Sequence, residues 1–101
     1  MRLLVALVLL ASLAGCGPIQ STGALIDADV EIEGARAAGA VTSATYEFTS
    51  AESYLHKARQ LYGYSQYEAA IDFASKAREF AKDARKKALA ASNRPQSEAS
   101  P

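Results

Sequence analysis

One residue in this chain carries a strong nucleophile. Cys16 is the sole cysteine of 101 residues, so its thiol is available for modification but has no partner for a disulfide. The sole histidine, His56, has Glu52 one helical turn before it and Gln60 one turn after. A metal site needs a third converging ligand, and nothing beside His56 supplies one, so it reads as an exposed i, i+4 pair. The acids are spread along the chain without a nucleophile elbow, a phosphate-cradling glycine loop or an H-E-x-x-H pattern. A chain near one hundred residues makes at most one small domain and cannot wall off a deep pocket. The sequence therefore predicts no catalytic residues, no metal and no cofactor, and a protein that is not an enzyme.

The surroundings of Cys16 say what its thiol is for. Arg2 supplies a positive start, Leu3 to Ala11 form an apolar stretch, and Leu13-Ala14-Gly15 lead into the cysteine. That is the order of a secretory signal, and the stretch is short of the roughly 20 apolar residues that a permanent span needs. The segment resembles the lipobox of bacterial lipoproteins. The resemblance implies that a diacylglyceryl thioether is built on Cys16, that residues 1–15 are removed, and that acyl chains hold the mature chain to a membrane. Each buried methylene contributes about 0.8 kcal/mol, and two or three chains hold far better than one. Gly17 stands where lipoproteins retained at the inner membrane tend to carry aspartate, which points to the outer membrane with the protein facing the periplasm.

After the cysteine, residues 16–23 lack a hydrophobic period and read as a tether, while residues 92–101 are polar, contain Pro95 and Pro101, and read as a disordered tail. The chain ends without a lysine, so covalent linkage to peptidoglycan through a terminal lysine is not expected. Between them, residues 24–91 are helical in pattern. Ile26, Val30, Gly34, Ala37, Val41, Ala44, Phe48, Ala51, Leu55, Ala58 and Tyr62 alternate spacings of four and three, an a/d seam. Ala70, Ala74, Ala77, Ala81, Ala84, Ala88 and Ala91 continue the seam in alanine alone, flanked by Ile71, Phe73 and Phe80.

Gly63 can end a helix in the left-handed conformation, and Ser65 with Glu68 spells a capping box for the next. A three-residue turn makes the helices antiparallel. The expected fold is all-α: a helical hairpin with a long helix over 24–62, about 57 Å at 1.5 Å per residue, and a second over 65–91. Gly34 and Gly39, followed by Val41-Thr42-Ser43, offer the alternative of a break into three helices.

Two groups of residues are candidates for contact. Tyr62, Tyr64 and Tyr67 gather at the hairpin tip, each with a flat apolar face and a polar handle suited to a protein partner or a sugar. The bland alternative is that Tyr62 fills the seam while the others cover the turn. In a hairpin rooted at Cys16 the tip points away from the membrane. The second group is Lys82, Arg85, Lys86 and Lys87, suited to the negative end of a helix. Residues 27–52 hold six acids against Arg36, and residues 57–94 hold nine bases against four acids. In a straight hairpin these clusters are offset by about ten residues, roughly 15 Å. They then pair only between molecules, by self-association, or with anionic envelope groups, unless they are simply solvated. The zero net charge and the export signal argue against a nucleic-acid partner.

Tyr46-Glu47-Phe48-Thr49-Ser50-Ala51-Glu52-Ser53-Tyr54-Leu55-His56-Lys57-Ala58-Arg59, then Gly63-Tyr64-Ser65-Gln66-Tyr67-Glu68-Ala69-Ala70 with Ala74, Lys76-Ala77 and Ala81, resemble a family of short periplasmic lipoproteins. It is the domain of unknown function forty-three ninety-eight. The resemblance covers residues 24–90 and implies a helical hairpin in the Gram-negative periplasm. Members are often encoded beside, or fused to, OmpA-like peptidoglycan-binding domains. It implies no activity. Tyr67, Ala70 and Ala77 also resemble a single tetratricopeptide repeat, but such folds need about three units to bury a core. The expected role is a structural or adaptor element for envelope proteins, OmpA-like ones among them, with glycan binding by the tyrosine tip as the alternative.

Overall fold

The computed structural model describes residues 1–13 and 16–93. Ala14 and Gly15 of the expected cleavage site and the expected tail from Arg94 lie outside the described residues, as does the side chain of Cys16. Every regular element described is helical: α1 (Arg2–Leu13), α2 (Cys16–Ala37), α3 (Ala40–Ser43), α4 (Thr45–Gly63) and α5 (Tyr67–Ser92). The apolar α1 shows Leu3, Leu4, Leu7 and Leu10 at 68–83% exposure. No described helix is long and apolar enough to cross a membrane.

The fold is built on α5. Alanine favours helix and demands the least lateral room, and Ala70, Ala74, Ala77, Ala81, Ala84 and Ala88 are all buried along one stripe. The stripe separates two flanks. Residues one position after a seam alanine, Arg78 and Arg85, meet α2: Arg78 pairs with Glu31 at 3.9 Å, and Arg85 lies over Gly34. Residues one position before, Phe73, Phe80 and Lys87, meet α4 through Tyr54, Tyr46 and Glu47. So α2 and α4 share the alanine stripe between them.

The contacts also fix directions. Thr22 with Tyr62, Asp29 with Arg59 and Arg36 with Glu52 make α2 and α4 antiparallel. Glu31 with Arg78 and Gly34 with Arg85 make α2 and α5 parallel. The domain is an up-down-up bundle of three long helices, closed on one side by the α4–α5 hairpin.

The continuous helix over 24–62 is therefore not formed; the break into three helices is. Gly39 takes φ 89 and ψ 19, a left-handed conformation that only glycine adopts without strain, and Ala44 departs from helix at φ −143 and ψ 53. Between them α3 is a single turn whose hydroxyls tie it shut: Ser43 Oγ donates to the Gly39 carbonyl at 2.8 Å and Thr45 Oγ1 to that of Val41 at 2.9 Å.

Because the break resets the helical phase, the seam assigned to α2 also changes. Ser21, Ala28, Ile32 and Ala35 face the core, whereas Ile26 and Val30 stand 57% and 64% exposed. Ala44, which precedes α4, and Phe48, Ala51, Leu55 and Ala58 on it are buried at the positions the spacing gives, whereas Val41 of the same seam is 45% exposed. Ser21 is fully buried with its hydroxyl unpartnered, a seam position where size outweighs polarity.

The segment 16–23, expected as a tether, forms the opening turns of α2. Pro18 sits in the first turn, where its missing N–H deprives no carbonyl of a bond.

The turn differs as well. The left-handed residue is Ser65, at φ 61, and not Gly63. The Gln66 amide donates to the Leu61 carbonyl at 2.9 Å and the Ser65 amide to that of Tyr62 at 3.0 Å, the paired bonds of a Schellman ending. With Ser65 committed to that conformation, α5 starts at Gln66–Tyr67 and no capping box forms. Replacing Ser65 with glycine removes the β-carbon from a left-handed site. It should stabilise the protein by about 0.5–1 kcal/mol in urea unfolding at neutral pH; a loss of stability would mean that the Ser65 side chain holds the turn.

Candidate functional site

The three tip tyrosines come together, but not in the place expected. α2 runs antiparallel to α4, so the end of α4 returns to the start of α2. The phenol of Tyr62 is hydrogen-bonded to the Thr22 hydroxyl at 3.0 Å, and that hydroxyl also reaches the Pro18 carbonyl at 2.8 Å. Tyr67 sets its ring edge-on to Tyr62 at 5.6 Å between centroids. Only Tyr64 is broadly free, at 76% exposure. Pro18, Ile19, Thr22 and Tyr62 line a shallow hollow of about 350 Å³. The tip and the Cys16 end of the chain are thus one end of the bundle.

The basic group is dispersed by the same topology. Lys87 forms an ion pair with Glu47 on α4, and Arg85 fills the space over Gly34, where an added β-carbon would meet its Nη1 at 3.7 Å. Lys82 and Lys86 are exposed and have no acidic partner among the described residues. The expected offset between acids and bases does not arise, because α2 folds back beside α5. Asp29 pairs with Arg59 at 3.3 Å and Glu31 with Arg78 at 3.9 Å. Arg36 bridges Glu33 and Glu52 while its guanidinium lies 5.1 Å from the Phe48 ring centre. His56 is exposed on α4, and no group of three metal-ligating side chains occurs among the described residues.

A further surface was not singled out from sequence. Along the α4–α5 flank opposite α2, Tyr54 stacks on Phe80 at 5.4 Å, tilts toward Phe73 at 5.9 Å, and Phe80 receives the edge of Tyr46 at 6.2 Å. Lys76 Nζ stands 5.7 Å from the centres of both Tyr54 and Phe73. Beside these rings runs an open, mostly apolar trough of about 570 Å³, lined by Tyr46, Tyr54 and Phe73 together with Thr45, Thr49, Ser50, Ser53 and Lys57. Tyr46 is 72% exposed at its mouth. The signal was present in the flanks: Phe73 and Phe80 lie one position before seam alanines, and Tyr54 and Glu47 one position before Leu55 and Phe48. Such positions edge a helix–helix seam and face a neighbour across it.

Residues 23–100 match the family model for a domain of unknown function (DUF4398), and the chain belongs to that family. No curated protein and no solved structure matches it.

The Glu47–Lys87 pair gives this flank a pH dependence. The Lys87 ammonium donates to the Glu47 carboxylate, a backbone amide adds a second donor, and together they hold its pKa below the ordinary 4.5 despite partial burial. A depressed carboxylate favours the folded state above the unfolded pKa, and that contribution is lost as pH falls through the folded value. The Glu47 carboxyl, followed by NMR, should titrate below the usual carboxylate range in the native protein and return toward it in Lys87→Met. An unchanged midpoint in the variant would show that Lys87 is not the cause.

Proposed function

We propose that this DUF4398 protein is a non-enzymatic lipoprotein of the bacterial cell envelope, a structural or adaptor element carried by lipid on Cys16. Its place is the periplasmic face of the outer membrane. What supports the anchor is the order of Arg2, the apolar α1 and Cys16, followed at once by the helix that opens the bundle. What supports an adaptor is the aromatic trough on the α4–α5 flank. A surface with exposed Tyr46 and a ring-lined, mostly apolar trough suits a partner that brings apolar groups. Its partner class is an envelope protein, OmpA-like ones included. A second reading, direct binding of cell-wall glycan, moves from the tip to this trough, where aromatic rings stand beside Thr and Ser residues. Isolated protein that pellets with purified sacculi would favour the glycan.

Two measurements test the proposal. Cys16→Ala should leave an uncut precursor that takes up no labelled fatty acid, whereas normal cleavage and membrane retention would remove the anchor. Photo-crosslinking in cells with the probe at Tyr46 should give a discrete adduct with another protein, and a control probe at Lys86 should not. Adducts only at multiples of the chain's own mass would replace the adaptor by self-association.

A further inference from the structure

The end of the bundle that carries Cys16 has an unusual composition for a protein with 22% charged residues. Residues 16–26, the opening turns of α2, contain no Asp, Glu, Lys, Arg or His; nor do residues 60–67, the end of α4, the turn and the first residue of α5. The fold brings these two stretches side by side through Thr22 and Tyr62. They expose the apolar Ile19 at 73% and Tyr64 at 76% beside uncharged polar residues such as Gln20, Gln60, Ser65 and Gln66, with Ile26 at 57% two turns above Ile19. Charge resumes at Glu68, in the first turn of α5 beside this end, and farther along the bundle at Asp27 and Arg59. The opposite end differs: its α2–α4 connection is also uncharged, but Arg36, Arg85, Lys86 and Lys87 surround it.

We infer that this uncharged tyrosine-bearing end is seated in the headgroup layer of the membrane that holds the lipid on Cys16. The inference rests on the lipoprotein reading and adds an orientation to it. Six residues of helix separate Cys16 from Thr22, a rise of about 9 Å. The headgroup layer of one leaflet is about 5–8 Å thick. A bundle whose helix starts at the anchored residue therefore presents Ile19 and Tyr64 at that depth, with no tether to lift them away. Tyrosine is enriched at this depth because its ring joins the acyl boundary while its hydroxyl stays in polar surroundings. Glu68 is the one charge near that depth, where its carboxylate stays among polar headgroups, and Asp27 and Arg59 stand farther out. The ligand is the bilayer surface itself, and the far end and the aromatic flank are left in the periplasm.

The chain has no tryptophan, so a single one reports its own position. Lipidated protein extracted from producing cells, carrying Tyr64→Trp or Val41→Trp, is returned to vesicles of phosphatidylethanolamine and phosphatidylglycerol containing brominated acyl chains. Tyr64→Trp should show a blue-shifted emission that is quenched by the brominated lipid, and Val41→Trp, at the opposite end, should show neither. Equal, unquenched emission from both, with acylated Cys16 present by mass, would overturn the seating while leaving the anchor intact. A mass without acyl chains would remove the lipoprotein reading and the proposal with it.

Discussion

Everything in this bundle depends on how close two helices can come to α5. Six alanines along one stripe present little more than backbone, which leaves room for α2 and α4 to come close. The larger side chains of the partners, Ile32 on α2 and Phe48 and Leu55 on α4, then lie on that stripe. A bulkier residue at any seam position would force both helices outward at once. The core is narrow in consequence. Its volume comes from three side chains and its continuity from the alanines, as suits a chain too short to bury a large interior.

The same stripe accounts for what could be read in the sequence. On α4 and α5 the spacing of Phe48, Ala51, Leu55 and Ala58 against Ala70 to Ala88 is unambiguous, because one phase holds from Thr45 to Gly63 and another from Tyr67 to Ser92. On α2 the apparent continuation through Ile26, Val30, Gly34 and Ala37 was a coincidence of period across a break. Only the conformation of Gly39 shows that the phase is reset. Two glycines stood in that stretch, and nothing local distinguishes Gly34, which stays helical beside Arg85, from Gly39, which turns the chain. The aromatic flank was hidden for a different reason: Tyr46, Tyr54, Phe73 and Phe80 sit beside the seam, and pattern alone does not say which beside-seam residues meet.

Charge selects the arrangement of α2. With Ala28, Ile32 and Ala35 inward, Asp29 falls against Arg59 on one side and Glu31 against Arg78 on the other. Each exposed pair contributes only a few tenths of a kcal/mol to about 1 kcal/mol, too little to hold the bundle. Their joint effect is on specificity: small residues meet the alanine stripe while acids from the first half of the chain meet bases from the second. Ile26 and Val30 are left outward as a result. The acid-rich and base-rich stretches thus pair in part within one molecule, so separation along the sequence is not separation in space.

Folding back also changes what the molecule presents and how far it reaches. A single long helix over residues 24–62 would have carried the tyrosine turn about 57 Å from its root. The bundle instead returns that turn to the root, and its height is set by the 26 residues of α5, about 39 Å. On the lipoprotein reading, the most distant group from the membrane is no longer the tyrosine tip but the α2–α4 connection with its surrounding Arg85, Lys86 and Lys87. The flank that carries Tyr46 stands just below it. With Lys87 held by Glu47 and Arg85 lying over Gly34, that end offers an approaching partner the ring-walled trough and not a free basic cluster. The uncharged end, which in a straight hairpin would have been the recognition surface, becomes the foot of the molecule.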